Sequence, residues 1–241
     1  MAETRPTHDG RRLRAPFLIV NPKAYLYGAE SLELAIDCED LAANHDVDVV
    51  YTAQQADVRM IAARCPSLFV AAQHMDALVP GRGMGFILPE ALVEAGARAV
   101  VLNHAEHPMG VHELSVTIER AREVGLLSIV CADSDQQVTA VAHQGPDVMI
   151  CEPTANIGTG SMVSEEYVER TIALVRRVNP GILIIEAAGV STADDVARVL
   201  RQGADGSGGT SVIVQAPDRP LMLDEMLSAV EQHARTLRTQ H

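Results

Sequence analysis

Glu152 closes a short apolar run, Asp147-Val148-Met149-Ile150-Cys151, and is followed by Pro153-Thr154-Ala155-Asn156-Ile157-Gly158-Thr159-Gly160. A carboxylate at the end of a buried strand reaches a site yet is poorly solvated, which raises its pKa and suits it to act as a base. The two glycines of Gly158-Thr159-Gly160 let the segment bend, close over a ligand and offer backbone N–H groups to an anion. Taken alone, the stretch reads equally well as an ordinary strand-to-helix loop with an exposed Glu. Lys23 lies two residues past an apolar run and is the only lysine in the chain; every other fixed positive side chain is Arg. An ammonium there can bind a phosphate or an enolate oxygen, although a lone lysine is usually a solvated surface group. His104 can donate a hydrogen bond to a carbonyl or act as an acid; a structural His in a polar loop is the plainer reading. Gly158, Gly189 and the Thr210-Ser211 pair can supply backbone N–H groups to a phosphate. The loop Pro80-Gly81-Arg82-Gly83-Met84-Gly85 resembles a phosphate loop in composition only, because it lacks the Lys-Ser/Thr ending.

These residues need elements to hold them. Apolar runs at 17–21, 47–51, 68–72, 98–102, 127–131, 148–151 and 182–186 read as strands. An eighth is expected over 204–211, although Gly206, Ser207, Gly208 and Gly209 are weak strand formers. Helical patterns lie between them, near 30–45, 57–64, 89–96, 113–125, 136–144, 165–178, 192–202 and 220–237. Pro89 and Gly96 give a proline start and a glycine stop, and Thr192 with Asp195 forms a capping-box-like start. Continuous apolar strands are buried on both faces, which fits a parallel sheet. Eight strand–helix units in 241 residues match a single-domain α/β chain closed into a (β/α)₈ barrel. An open doubly wound sheet is the second choice. Residues 1–15 read as an N-terminal tail and 16–241 as the barrel. In such a barrel functional groups sit at the C-terminal strand ends. Those ends carry Asn21 and Lys23, Gln73 to Asp76, Asn103 to Glu106, Asp133, Glu152, Gly189 and Ser191, and Thr210 and Ser211.

Composition removes other classes. The net charge is −13 and the hydrophobic fraction 47%, with no Trp. An acidic surface argues against nucleic acid and anionic membranes as partners. No apolar run is long enough to span a bilayer. Cys38, Cys65, Cys131 and Cys151 have no paired spacing, so they read as core residues of a reduced, cytoplasmic protein. No His, Cys and carboxylate cluster has metal-ligand spacing, and no metal or cofactor is expected.

The chain resembles the triosephosphate isomerase family in its compact archaeal-type form. The stretches that carry the likeness are Val20-Asn21-Pro22-Lys23-Ala24-Tyr25, Ala72-Gln73-His74-Met75-Asp76, Leu102-Asn103-His104-Ala105-Glu106, Val130-Cys131, Glu152 through Gly160, and Gly189-Val190-Ser191-Thr192. The resemblance runs from about Phe17 to Val230. It implies interconversion of glyceraldehyde 3-phosphate and dihydroxyacetone phosphate without metal or cofactor, in glycolysis and gluconeogenesis. The family is a standard example of pKa tuning, with a glutamate base and a neutral imidazole electrophile. By position, Glu152 corresponds to that base, His104 to the electrophile and Lys23 to the cation that binds substrate, with Asn21 and Glu106 beside them. Ile157 and Gly158 correspond to a closing lid. Gly189, Ser191, Gly209, Thr210 and Ser211 correspond to the phosphate-binding backbone, with the register of the eighth strand open between Gly208-Gly209 and Thr210-Ser211. The resemblance also implies a homo-oligomer, a dimer or a tetramer.

The sequence departs from the family at Pro22, at Ala105 where serine is usual, in the lid's Pro153-Thr154-Ala155-Asn156, at Glu186-Ala187-Ala188, in the glycine-rich eighth strand, and at Met84, where a polar residue normally reaches the partner subunit's site. The alternatives are an isomerase of a related short sugar phosphate such as a tetrulose phosphate, and a barrel that binds a phosphorylated metabolite without catalysis. A lyase or aldolase would want a Schiff-base lysine or a metal cluster.

Overall fold

A computed structural model describes residues 1–153 and 164–239. Eight parallel strands close into one barrel in sequence order. They are β1 (Phe17–Val20), β2 (Asp48–Ala53), β3 (Phe69–Ala72), β4 (Ala99–Leu102), β5 (Leu127–Ala132), β6 (Val148–Cys151), β7 (Leu183–Ile185) and β8 (Gly206–Gly209). Around them lie α1 (Gly28–His45), α2 (Val58–Arg64), α3 (Pro89–Glu94), α4 (Val111–Val124), α5 (Asp135–Gln144), α6 (Glu165–Val178), α7 (Ala193–Arg201), α8 (Ser211–Val214) and α9 (Arg219–Thr239). Strand side chains alternate between two cores, which is why the strands read as unbroken apolar runs. Phe17, Ile19, Val50, Phe69, Ile129 and Ile185 fill the barrel interior. Leu18, Val20, Tyr51, Val70, Val130 and Ile184 pack outward against the helices.

β8 is shorter than the sequence suggests, because Ser211 opens α8 and is not part of the strand. Its glycines have a packing reason. A Cβ on Gly206 would lie 2.7 Å from the Phe17 ring, and one on Gly208 would lie 1.9 Å from the Ile19 carbonyl oxygen. The strand that closes the barrel therefore lies so near β1, with Phe17 opposite Gly206 and Ile19 opposite Gly208, that side chains are excluded.

At the opposite end from the strand C-termini, residues 1–15 fold back as a hairpin. Thr4 N–H donates to the Leu13 carbonyl at 3.0 Å, and Ala15 N–H to the Ala2 carbonyl at 2.9 Å. Leu13 is fully buried and belongs to the barrel-interior core. Arg5 pairs with Asp147 at 2.8 Å, Arg98 with Asp9 at 2.8 Å and Arg14 with Asp48 at 2.7 Å. The hairpin thus grips the N-terminal ends of β2, β4 and β6. Gly125 accommodates it: a Cβ there would meet His8 at 2.8 Å.

Candidate active site

The C-terminal strand ends open into a cavity of about 430 Å³ lined by Asn21, Lys23, His104, Glu152, Gly189, Ser191, Gly209, Thr210 and Ser211. Residues from β1, β4, β6, β7 and β8, far apart in sequence, meet there. Glu106 lines a neighbouring cavity that shares Asn21, Lys23 and His104. Its Oε1 accepts from Lys23 Nζ at 2.7 Å. Ile157 and Gly158 lie outside the described residues.

Each candidate side chain is set by its element. Glu152 follows β6, and its N–H donates to the Ala132 carbonyl at 2.9 Å, which continues the ladder with β5 to the rim. Burial raises its carboxyl pKa, while the Lys23 charge opposes that rise. The carboxylate is thereby more basic than a solvated one. Asn103 after β4 has φ of +56° and is fixed on both sides: its Nδ2 donates to the Cys131 carbonyl at 2.9 Å and its Oδ1 accepts from Met109 N–H at 3.0 Å. His104 follows directly. Its Nδ1 faces the Glu106 N–H at 3.1 Å, so that nitrogen must carry the lone pair and Nε2 the proton. Burial, then the Lys23 charge, lowers the imidazole pKa. His104 is therefore a neutral donor rather than an imidazolium. Glu106 is held below the usual carboxylate range by its hydrogen bond from Lys23. A desolvated base, a neutral N–H donor and an ammonium around one cavity can move a proton at a carbon next to a carbonyl.

The remaining expected residues divide. Gly209, Thr210 and Ser211 line the cavity where α8 begins, and the first N–H groups of a helix have no intrahelical acceptor. Ser191 lines it too, but its N–H and Oγ both go to Asp195 Oδ2, at 3.0 and 3.1 Å, in the start of α7. Glu186 directly follows β7 and faces outward. It is fully buried, with Oε1 2.7 Å from Thr171 Oγ1 of α6, and burial pushes its carboxyl well above the usual range. It does not line the cavity. Nothing in the sequence marks Gln54 or Thr52, and Gln73 stands out there only as a strand-end residue. All three bond to Lys23 or Asn21. Their signal was positional, since each stands at or just past the C-terminal end of β2 or β3. Among the described residues, no group of three or more His, Cys, Asp and Glu could hold a metal ion.

The family model described as Triosephosphate isomerase matches residues 16–221. Curated relatives named triosephosphate isomerase align over most of the chain. The protein of Methanobacterium bryantii is 34% identical over 220 residues, 89% of this chain and 97% of its own. That of Methanothermobacter thermautotrophicus is 35% identical over 215 residues, 87% and 93% of the two chains. That of Sulfurisphaera tokodaii is 31% identical over 220 residues, 89% and 95%.

Proposed function

The chain belongs to the triosephosphate isomerase family, and from that membership we infer that it interconverts glyceraldehyde 3-phosphate and dihydroxyacetone phosphate. The observation that carries the reading is the convergence of Glu152, His104 and Lys23 on one cavity, with the base desolvated and the imidazole neutral. In this scheme Glu152 takes a proton from the hydroxyl-bearing carbon beside the carbonyl. The electron pair forms the carbon–carbon double bond, and the carbonyl oxygen becomes the enediolate oxygen. The His104 Nε2–H and the Lys23 ammonium stabilise that oxygen and are placed before the charge develops. His104 relays a proton between the two oxygens, and Glu152 returns its proton to the former carbonyl carbon. Atoms and charge balance without a cofactor. Gly189 and the Gly209-Thr210-Ser211 turn hold the phosphate. Because Asp195 occupies the Ser191 donors, Ser191 acts by shaping the turn.

A second reading, isomerisation of a larger sugar phosphate such as a tetrulose phosphate, keeps the same three residues and is motivated by the departures from the family at the phosphate end, Ala188 and the glycine-rich β8. The test is a panel assay on glyceraldehyde 3-phosphate and on erythrose and erythrulose phosphates, with Glu152→Gln as the blank. Fast, Glu152-dependent triose turnover is expected. Weak triose turnover with fast turnover of a four-carbon phosphate favours the second reading. Equal activity of Glu152→Gln on every substrate would sink both.

We also propose a homo-oligomer, dimer or tetramer. Met84 is 99% exposed at the tip of the loop after β3, with Val79 and Phe86 exposed beside it. Exposed apolar side chains on one loop suit burial in a protein contact, and the partner we propose is a second copy. A cytoplasmic location is supported by four buried, unpaired cysteines. No helix among the described residues is long and apolar enough to cross a membrane.

A further inference from the structure

Lys23 has φ of +49°. That is the left-handed region, which a non-glycine residue keeps only when its surroundings hold it there. Polar side chains hold it from both sides. Asn21 Oδ1 accepts from the Lys23 N–H at 3.0 Å and from Thr52 Oγ1 at 2.6 Å. Gln73 Nε2 donates to the Lys23 carbonyl at 2.8 Å. Gln54 Nε2 donates to Gln73 Oε1 at 3.0 Å and lies 3.5 Å from the same carbonyl. Gln73 is itself tied to the ladder, its N–H donating to the Ala53 carbonyl at 3.2 Å.

We propose that Gln73, braced by Gln54, is a positioning residue of the isomerisation: it clamps the Lys23 backbone in the left-handed conformation and so aims the ammonium into the cavity. The proposal rests on the isomerase reading. The chemistry asks for an amide at position 73. The Lys23 carbonyl only accepts, which fixes the orientation of the Gln73 amide, and Gln54 must then donate to its oxygen. The result is a chain of aligned amide dipoles, each strengthening the next. Leucine would leave the Lys23 carbonyl without its short donor, and Gln54 without its acceptor. Glutamate would set an acceptor against that carbonyl. Either change lets residue 23 relax toward negative φ, which turns its Cα–Cβ bond and swings Nζ away from Glu106 and His104. Because the Lys23 charge opposes the burial-driven rise of the Glu152 pKa, displacing the ammonium also moves the titration of the base.

The experiment compares wild type, Gln73→Leu, Gln73→Glu and Gln54→Leu, and adds Gln73→Leu within Lys23→Gly, where glycine tolerates the conformation and no ammonium remains to be aimed. Expected is a roughly 10- to 100-fold loss of kcat/KM for both Gln73 variants, a smaller loss for Gln54→Leu, and an acid limb of the pH profile displaced to higher pH. In the Lys23→Gly background, Gln73→Leu should cost nothing further. Wild-type kcat/KM and acid limb in the Gln73 variants, or additive losses in the double variant, would overturn the clamp. If Gln73→Leu does not fold, Gln73→Glu and Gln54→Leu decide the question. Since Lys23 is the only lysine, its 13Cε resonance is assigned without ambiguity, and a shift on Gln73 substitution tests the clamp whatever the substrate. Absent wild-type triose turnover would count against the isomerase reading, while an unmoved Lys23 resonance would count against the clamp.

Discussion

Three carboxyl groups near the barrel mouth meet three environments, and these decide their chemistry. Glu106, with its side chain 62% exposed, is paired with Lys23 and held low. Glu186 is fully buried against α6 and held high. Glu152 lies between them: burial raises it, Lys23 restrains it, and it faces the cavity. The sign for catalysis follows. A base with a raised pKa loses its reactive form as pH falls through that raised value, so the acid limb of kcat/KM should lie above the ~4.3 of an ordinary glutamate. A pH–rate profile checks this, and a limb at or below the ordinary value contradicts it. Lys23, His104 and Glu152 were legible as candidates in the sequence because each follows a recognisable strand by one to three residues. Gln54 and Gln73 were not, because their role is a hydrogen bond to a backbone carbonyl more than 30 residues away, and no spacing encodes that.

At the level of elements, barrel closure depends on β8 accepting β1 at short range. Gly208→Ala would drive a Cβ into the Ile19 carbonyl, at a residue whose φ of +151° already favours glycine. A loss of about 4 kcal/mol or more is expected, since backbone strain and a clash add in one place. Urea unfolding measures it, and a loss under about 1 kcal/mol would mean that β8 can move away. The other seven strands were plain in the sequence, because both faces are buried and the apolar runs are continuous. β8 was blurred for the reason that makes it work: close approach demands glycine, and glycine hides the strand. The short helix α8 is not announced by the sequence, because Val212, Ile213 and Val214 are β-branched and weak helix formers, while packing against α9 accompanies the helical turn. The capping box at Thr192 and Asp195 was readable, because it is wholly local.

Over the whole molecule, the two ends of the barrel have separate tasks. The candidate site residues occupy the C-terminal end, while the hairpin of residues 1–15 seals the other. Nothing in the spacing of Thr4, Arg5 and Leu13 announces that hairpin, because its partners Asp147, Arg98 and Asp48 are distant in sequence. Removing residues 1–14 would uncover the barrel interior and lose the burial of Leu13, about 1.5–3 kcal/mol, along with the ion pairs. The melting temperature should fall by roughly 5–10 °C, while kcat/KM well below the melt stays unchanged. An unchanged melting temperature would mean that the hairpin is dispensable. The distribution of a single residue type has a consequence for durability. Sugar aldehydes such as glyceraldehyde phosphate condense with unprotonated amines to imines, so a protein that handles them is exposed to its own metabolite. Arginine stays protonated and offers no such amine. With one lysine in 241 residues, and that one lining the cavity and paired with Glu106 at its edge, the outer surface carries no lysine for glycation to attack.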